Sequence, residues 1–327
     1  MRHAALFEFH DLQPHIDTFR DEVLTGLAQP QKNIPAKFFY DDLGSRLFDQ
    51  ICELPEYYPT RTETAIMQAH AQEMAVLLGE HCLLIEFGSG SSQKTRILLD
   101  VLSPTTYMPI EIARDQLQRS AQSLTNAYPK LRINAVCADY TKTFSVPGWQ
   151  RYAACQKSVF FPGSTIGNFT HVEAVDFLKQ VATVVGHGGG MLVGVDLKKD
   201  TQILHDAYND ARGVTAAFNL NLLTRINREL GADFKLDTFR HHAFYNETAG
   251  RIEMHLLSLK DQRVKVAGCG FDFHAGETIH TENSYKYAIP EFQHLAASAG
   301  FVSRQVWCDD AQLFSVRYLV TSNALNE

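Results

Sequence analysis

The sequence lacks the features that mark most metalloproteins, nucleic-acid-binding proteins and membrane proteins. Its six cysteines are scattered without a C-x-x-C pair, so we expect them to be reduced. Its fourteen histidines include no H-E-x-x-H motif, and the adjacent His241 and His242 would point in different directions, so we expect no metal site. A net charge of −7 argues against nucleic acid as a partner. Without a long apolar run or a signal-peptide pattern, we expect a cytoplasmic protein that contacts no membrane.

A third glycine is missing from the stretch around which the chain is organised. A short apolar run typical of a buried strand precedes Gly88 and Gly90, and Ser91 and Ser92 could cap a helix that begins near Gln93. Strand, glycine turn and helix predict the start of a nucleotide-binding βαβ unit. A dinucleotide fingerprint needs the series G-x-G-x-x-G, so an NAD-dependent dehydrogenase is disfavoured.

Three acidic residues accompany three consecutive predicted strands. Glu86 lies just before the first glycine, Glu111 ends the next apolar run, and Asp139 ends the one after. Carboxylates can bind ribose hydroxyls, an adenine amine and an ammonium group. Together with the missing phosphate-binding glycine, they predict S-adenosylmethionine as the cofactor.

Strand and helix patterns alternate over the middle of the chain, which predicts an α/β fold with a parallel sheet. The strands are expected near 82–87, 106–112, 132–138, 158–163 and 190–197, and the helices near 93–102, 114–127 and 171–185. A final helix over 290–299 and strands over 301–308 and 313–320 are expected to return to this sheet. The loop after the fourth strand contains Gly163 and Asn168, and Asn168 could instead cap the helix that follows Thr170.

The remaining segments predict a second domain. Residues 1–27 suggest a lead-in and one helix, Thr62 could cap a helix from Glu63, and the prolines around Tyr57 and Tyr58 favour extended backbone there. Helical patterns cover 201–210 and 214–230, and extended runs cover 236–245, 251–257, 264–273 and 280–287. We therefore assign residues 62–200 and 287–327 to a first domain, and residues 1–61 and 201–286 to a second.

Several long motifs resemble one enzyme family. The motifs are Phe38-Phe-Tyr-Asp-Asp-Leu-Gly-Ser, Leu54-Pro-Glu-Tyr-Tyr-Pro-Thr-Arg-Thr-Glu, Phe87-Gly-Ser-Gly-Ser-Ser-Gln-Lys-Thr-Arg, Gly163-Ser-Thr-Ile-Gly-Asn and Gly213-Val-Thr-Ala-Ala-Phe-Asn. The chain is similar in these motifs to the L-histidine Nα-methyltransferases of ergothioneine biosynthesis, which form hercynine with S-adenosylmethionine. The resemblance implies a Rossmann-like class I methyltransferase sheet with a mixed α+β substrate-binding domain, and transfer of up to three methyl groups.

The resemblance also implies a role for each matching residue. The cofactor set, with Glu86 and Gly90 added from the pattern above, is Glu86, Gly88, Gly90, Lys94, Glu111, Asp139 and Tyr140. The set that binds L-histidine is Tyr57, Gly163, Asn168, Tyr208, Met254, Glu282 and Ser284. Asn168 and Tyr40 would act closest to the reacting amine.

The sequence leaves two other functions open. The chain could be an N-methyltransferase of the same fold that acts on another aromatic amino acid such as tryptophan, or a ligand-binding relative without turnover. Glu282 and Ser284 favour an imidazole, because an indole would leave a partly buried carboxylate without a partner. We also expect the protein to be a monomer.

Overall fold

The structure is a computed structural model that describes residues 6–14, 16–90, 92–142 and 144–322, without the side chains of residues 16 and 17. It separates into two compact units. The first unit comprises Met1–Pro14, Pro59–Lys198 and Lys286–Glu327, and the second comprises His15–Tyr58 and Lys199–Tyr285. Within the described ranges, no helix is both long enough and apolar enough to cross a bilayer.

Both units contain α-helices and β-strands, numbered in chain order. The strands are β1 (Phe7–Asp11), β2 (Leu83–Phe87), β3 (Thr106–Glu111), β4 (Arg132–Cys137), β5 (Lys157–Phe161), β6 (Gly190–Asp196), β7 (Phe239–Asn246), β8 (Arg251–Ser258), β9 (Gln262–Val266), β10 (Cys269–Phe273), β11 (Thr278–Tyr285), β12 (Phe301–Cys308) and β13 (Phe314–Thr321). The α-helices are α1 (Ile16–Leu27), α2 (Asp42–Cys52), α3 (Tyr58–Leu78), α4 (Gln93–Leu99), α5 (Arg114–Ala127), α6 (His171–Val185), α7 (Thr201–Tyr208), α8 (Val214–Leu230) and α9 (Ile289–Ser298).

The first unit is built on an eight-stranded sheet with the order β1-β4-β3-β2-β5-β6-β13-β12. The first six strands of this order pair in parallel, and β13 joins antiparallel to β6. The predicted α/β sheet and the return of the last two strands are therefore confirmed. One buried cluster packs apolar residues of α3, α4 and α5 against the strands. This is why the strands read as continuous apolar runs.

Strand β1 differs from the sequence prediction. The sequence places residues 1–27 with the second domain as a lead-in and a helix, whereas Phe7–Asp11 pairs in parallel with β4 in the first unit. Phe7 and Phe9 pack against the buried cluster of that unit. A five-residue segment gives too short a pattern to show which sheet it will join.

The beginning of α3 differs from the sequence prediction. The helix starts at Tyr58 and not after Thr62, so Thr62 lies inside it, and only Tyr57 of the tyrosine pair stays outside the helix. Pro59 is compatible with this start because the first turn of a helix leaves its N–H groups without intrahelical partners.

The second unit contains a three-stranded antiparallel sheet, β11-β8-β7, and a two-stranded hairpin of β9 and β10. The predicted run 264–273 is two strands, because Ala267 and Gly268 turn the chain with φ of +48° and +86°. Helix α8 packs against α2 and β7.

A β-bulge in β11 sorts its side chains between the two faces of the sheet. The register shifts between His280 and Glu282, so that His280 lies opposite His255 whereas Glu282 lies opposite Met254. Since consecutive residues of β8 point to opposite faces, His280 and Glu282 also lie on opposite faces. Ser284 follows Glu282 at the normal spacing and shares its face.

Candidate functional site

The glycine turn after β2 is fastened to the end of β3. Gly88 and Gly90 adopt φ of +71° and +47°, which favour glycine. The Glu111 carboxylate, 8% exposed, accepts hydrogen bonds from the backbone N–H of Gly90 at 3.2 Å and of Ile112 at 2.8 Å. Burial raises the pKa of Glu111, and these hydrogen bonds oppose that rise. The structure therefore brings the glycine turn and the second acidic residue together.

The third acidic residue follows β4. The Asp139 carboxylate accepts hydrogen bonds from the backbone N–H and the hydroxyl of Thr141, at 3.0 and 2.5 Å. Tyr140 packs against Phe87 with ring centroids 5.7 Å apart, and a Cβ added to Gly88 would lie 3.4 Å from the Tyr140 hydroxyl. Burial, with the negative charges of Glu111 and Asp139, raises the pKa of Tyr140.

The predicted capping serines do not act as expected. Ser92 precedes α4 with φ of +57° and makes no capping hydrogen bond through its side chain. Ser91 lies outside the described residues.

Glu86 lies in the interior of the first unit. It is 1% exposed, and its carboxylate accepts hydrogen bonds from the hydroxyl groups of Thr95, at 2.6 Å, and of Tyr107. Burial raises its pKa to about 8. A protonated side chain inside a hydrogen-bond network suits a structural role, so we now propose that role for Glu86 in place of cofactor binding.

The pH dependence of unfolding tests this role. As pH rises from 4.5 towards about 8, the unfolded chain loses the Glu86 proton while the folded chain keeps it. We expect wild-type stability to fall, relative to a Glu86→Gln variant, by about 1.4 kcal/mol per pH unit in this window. Urea unfolding of both proteins at several pH values measures the difference in their free energies of unfolding. The contributions of the other titrating groups are the same in both proteins and cancel in this difference. Two curves that stay parallel would contradict the raised pKa.

Lys94 and Gly163 meet at a residue that the sequence analysis did not select. Glu63 in α3 has a fully buried side chain, forms an ion pair with Lys94, and accepts the Gly163 N–H at 3.0 and 2.9 Å. Gly194 leaves room for it, since a Cβ there would lie 2.0 Å from Glu63 Oε1. A sequence signal for Glu63 exists, because this carboxylate lies three residues before Ile66 and four before Met67, on the same helix face as these apolar residues. A carboxylate on a buried helix face needs a partner.

Asn168 ends a short 3₁₀ turn, Thr165–Asn168, after β5. It is half-buried, and its amide makes no hydrogen bond to another residue of the described ranges. Its alternative role as a helix cap does not apply, because Thr170 caps α6 and forms a capping box with Glu173. Asn168 is thus a half-buried amide with both a donor and an acceptor to offer a ligand.

The groups around the glycine turn fit S-adenosylmethionine. A Cβ added to Gly90 would meet no atom within 4 Å, so the backbone there is open to close approach by a ligand. Glu111 and Asp139 offer carboxylates at the carboxyl ends of two neighbouring parallel strands, where such sheets bind their ligands. We refer to Gly88, Gly90, Lys94, Glu111, Asp139 and Tyr140 as the Gly88 group, and all six belong to the first unit.

A second set of predicted residues comes together in the second unit. The Tyr208 hydroxyl at the end of α7 donates a hydrogen bond to Ser284 Oγ at 2.7 Å. Met254, 2% exposed, lies directly opposite Glu282 in the sheet. The rings of Tyr57 and Tyr208 are in edge contact, with centroids 6.2 Å apart.

Tyr57 links this set to further aromatic residues. Its ring contacts Phe48 at 6.4 Å, and Phe48 contacts Tyr40 at 5.7 Å. Burial raises the pKa of Tyr57 well above its ordinary value, and nearby acidic groups including Tyr208 and Glu282 add to the rise. Tyr57 is therefore a neutral phenol that can donate or accept a hydrogen bond. We refer to Tyr40, Tyr57, Tyr208, Met254, Glu282 and Ser284 as the Tyr57 group.

Comparisons with known proteins agree on one family. The chain matches, over residues 19–321, the model of a family described as "Histidine-specific methyltransferase, SAM-dependent". It is 40% identical over 311 residues to the histidine N-alpha-methyltransferase of Mycolicibacterium smegmatis, with coverage of 93% of this chain and 95% of that protein. The corresponding protein of Mycobacterium tuberculosis is 41% identical over 304 residues, with coverage of 91% and 93%. The ergothioneine biosynthesis protein 1 of Neurospora crassa is 29% identical over 294 residues, which cover 87% of this chain and 33% of that protein. This chain belongs to the family of S-adenosylmethionine-dependent, histidine-specific methyltransferases.

Proposed function

We propose that this protein transfers methyl groups from S-adenosylmethionine to the α-amino group of L-histidine, up to three times, and so forms hercynine. The observation that carries the proposal is the Tyr57 group, in which a carboxylate, a serine hydroxyl and two tyrosines lie together on one side of a small sheet. Membership of the family and the names of the two mycobacterial relatives support the same substrate.

The Tyr57 group suits an imidazole because this ring has two nitrogens that a site can address separately. We propose that Glu282 and Ser284 bind one nitrogen and that the Tyr57 hydroxyl binds the other, while Met254 packs against the ring. A carboxylate on one side and a phenol on the other would select one orientation and one tautomer. An indole has one ring N–H and no second ring nitrogen, so a tryptophan side chain would leave either the carboxylate or the Tyr57 phenol without its hydrogen-bond partner, which costs free energy in a partly buried site.

For the amino-acid end of the substrate, we propose Asn168, Tyr208, Gly163 and Tyr40. Asn168 and Tyr208 would bind the carboxylate, and Asn168 would also help to place the amine. The Gly163 N–H already donates to Glu63, so its carbonyl is the backbone group that remains for the amine. Tyr40 would lie beside the growing number of methyl groups.

The chemistry requires a neutral amine in line with the methyl group. Bound S-adenosylmethionine supplies that methyl group on an activated sulfonium. The protein then has to position the amine and keep its nitrogen lone pair available, which is the larger part of catalysis when the leaving group is already activated. We propose that desolvation lowers the pKa of the amine and that water accepts its proton. The Asn168 side-chain oxygen and the neighbouring backbone carbonyl would accept hydrogen bonds from the amine N–H groups and so direct its lone pair at the methyl group.

Mass spectrometry of the products tests the proposed function. L-Histidine incubated with the protein and S-adenosylmethionine is expected to gain one, two and three methyl groups, with the trimethylated product accumulating. L-Tryptophan under the same conditions is the matched control and is expected to stay unmodified. Unmodified histidine, or methylation of tryptophan at the same rate, would refute the assignment.

We also propose that the first unit binds S-adenosylmethionine and that the second unit binds the side chain of the amino-acid substrate. The assignment of the Gly88 group to the first unit and of the Tyr57 group to the second supports this division. A cytoplasmic location, a monomeric state and the absence of a nucleic-acid or membrane partner stay predictions from the sequence.

A further inference from the structure

The face of the three-stranded sheet opposite Glu282 carries a row of imidazoles. His280 lies opposite His255 in the sheet, and His255 lies opposite His242 on the other side. Glu253 is two residues from His255 on β8, so it shares their face. None of these residues belongs to the Tyr57 group, and the proposed reaction gives them no role.

We propose that Glu253, His255 and His280 form a binding site for a divalent zinc ion, distinct from the site of methyl transfer. We refer to these three residues as the Glu253 cluster. One potential ligand atom from each lies within 4.8 Å of the others. Two imidazoles and one carboxylate form a donor set that Zn²⁺ accepts, with water at the fourth position of the tetrahedron.

The backbone presents these ligands from rigid positions. Residues i and i+2 of β8 supply Glu253 and His255, and the directly opposite residue of β11 supplies His280. Directly opposite residues of an antiparallel pair have Cβ atoms about 5 Å apart, close enough for two imidazoles to bind one ion. The bulge after His280 is what brings its side chain to this face, because without the register shift Glu282 and His280 would point the same way.

Second contacts hold two of the ligands in orientation. The second oxygen of Glu253, Oε1, accepts hydrogen bonds from Arg251 at 2.8 Å and Asn246 at 3.0 Å, which leaves Oε2 directed at His255 Nε2, 3.0 Å away. His255 Nδ1 lies 3.1 Å from the Thr278 hydroxyl oxygen, which can accept a hydrogen bond from the Nδ1–H group. Such partners of the outer nitrogen fix the tautomer of a metal-binding histidine and commonly accompany zinc ligands.

The third ligand has to move a little. The His280 ring stacks on His255 with centroids 4.6 Å apart and planes at 10°, and His280 Nε2 lies 3.1 Å from the Glu282 carbonyl oxygen. Parallel rings cannot both direct a lone pair at one point, so the half-buried His280 ring has to turn for its nitrogen to converge with the other ligands. His255, by contrast, is 6% exposed and is held in place.

Zinc binding to the apo protein tests the site. Zinc affinity is measured by equilibrium titration with ZnCl₂ against a chromophoric chelator, and the coordination geometry by the visible absorption of bound Co²⁺. The proteins compared are the wild type, His255→Ala, His280→Gln and the control His205→Gln, whose position is exposed on the surface of α7. Histidine is left out because it chelates zinc itself, so the result does not depend on the proposed function. Exposed Cys269 is replaced with serine in every protein to remove a competing thiol.

We expect one zinc per wild-type chain and per His205→Gln chain, a tetrahedral Co²⁺ spectrum, and a loss of affinity in both cluster variants that exceeds the roughly 10- to 100-fold typical of an outer contact. Circular dichroism identifies a variant that fails to fold. If one cluster variant is unfolded, the zinc affinity of the other cluster variant tests the proposal. Absence of zinc binding by the wild type, or an equal loss in His205→Gln, would overturn the proposal. So would zinc binding that persists in a folded cluster variant.

Discussion

A Glu282→Gln variant is expected to raise the KM for L-histidine by about 10- to 150-fold and to leave kcat much less affected. Glutamine keeps the size of the side chain but removes the negative charge that we propose pairs with an imidazole N–H. A hydrogen bond to a charged group contributes about 1.5–3 kcal/mol, which corresponds to that range. The imidazole is remote from the reacting amine, so the contact is equally strong before and during methyl transfer, and its loss appears in KM.

Steady-state kinetics at saturating S-adenosylmethionine measure the effect. Glu247→Gln is the matched control, because it makes the same chemical change in the same unit. Glu247 is exposed in the turn between β7 and β8. The control is expected to behave as the wild type. An unchanged KM in Glu282→Gln would remove this residue from the histidine site, and an equal fall of kcat in both variants would point to a general effect on the unit.

The parts of the fold that the sequence predicts are those with a strong period. Strands β2 to β6 and helices α5 and α6 appear near the predicted positions, because buried parallel strands and amphipathic helices leave clear apolar patterns. The short β1 and the turn at Ala267 leave none, and their places depend on pairing with distant residues. The start of α3 at Tyr58 was missed because Pro59 is read as a helix breaker although the first turn tolerates it.

The candidate site divides in a similar way. The glycine turn and the end of β3 follow from sequence alone, since the carboxyl ends of parallel strands share one edge of the sheet. The grouping of Tyr57 with Tyr208 and Ser284 does not, because these residues are separated by long stretches of chain and only the resemblance to a family suggested it. The bulge before Glu282 is also invisible in the pattern, yet it determines which face of the sheet that carboxylate occupies.

A Glu63→Gln variant is expected to lower the free energy of unfolding by about 3 kcal/mol and to weaken binding of S-adenosylmethionine. The change keeps an oxygen that can accept the Gly163 N–H, so it removes mainly the charge that pairs with Lys94. Breaking a buried ion pair from one side costs about 3–5 kcal/mol because the remaining charge has no partner. We expect the lower end because the Lys94 side chain is 16% exposed and keeps part of its hydration.

A double-mutant cycle separates the ion pair from other effects of the change. Lys94→Met in the Glu63→Gln background removes the charge left without a partner, so we expect the double variant to recover a large part of the lost stability. Glu80→Gln, at an exposed position just after α3, is the control and should stay within about 0.5 kcal/mol of the wild type. Urea unfolding gives the stabilities, and titration with S-adenosylhomocysteine gives the affinities. If the two single changes were simply additive, Glu63 and Lys94 would not act as a pair, and the fixed position of Gly163 beside them would need another cause.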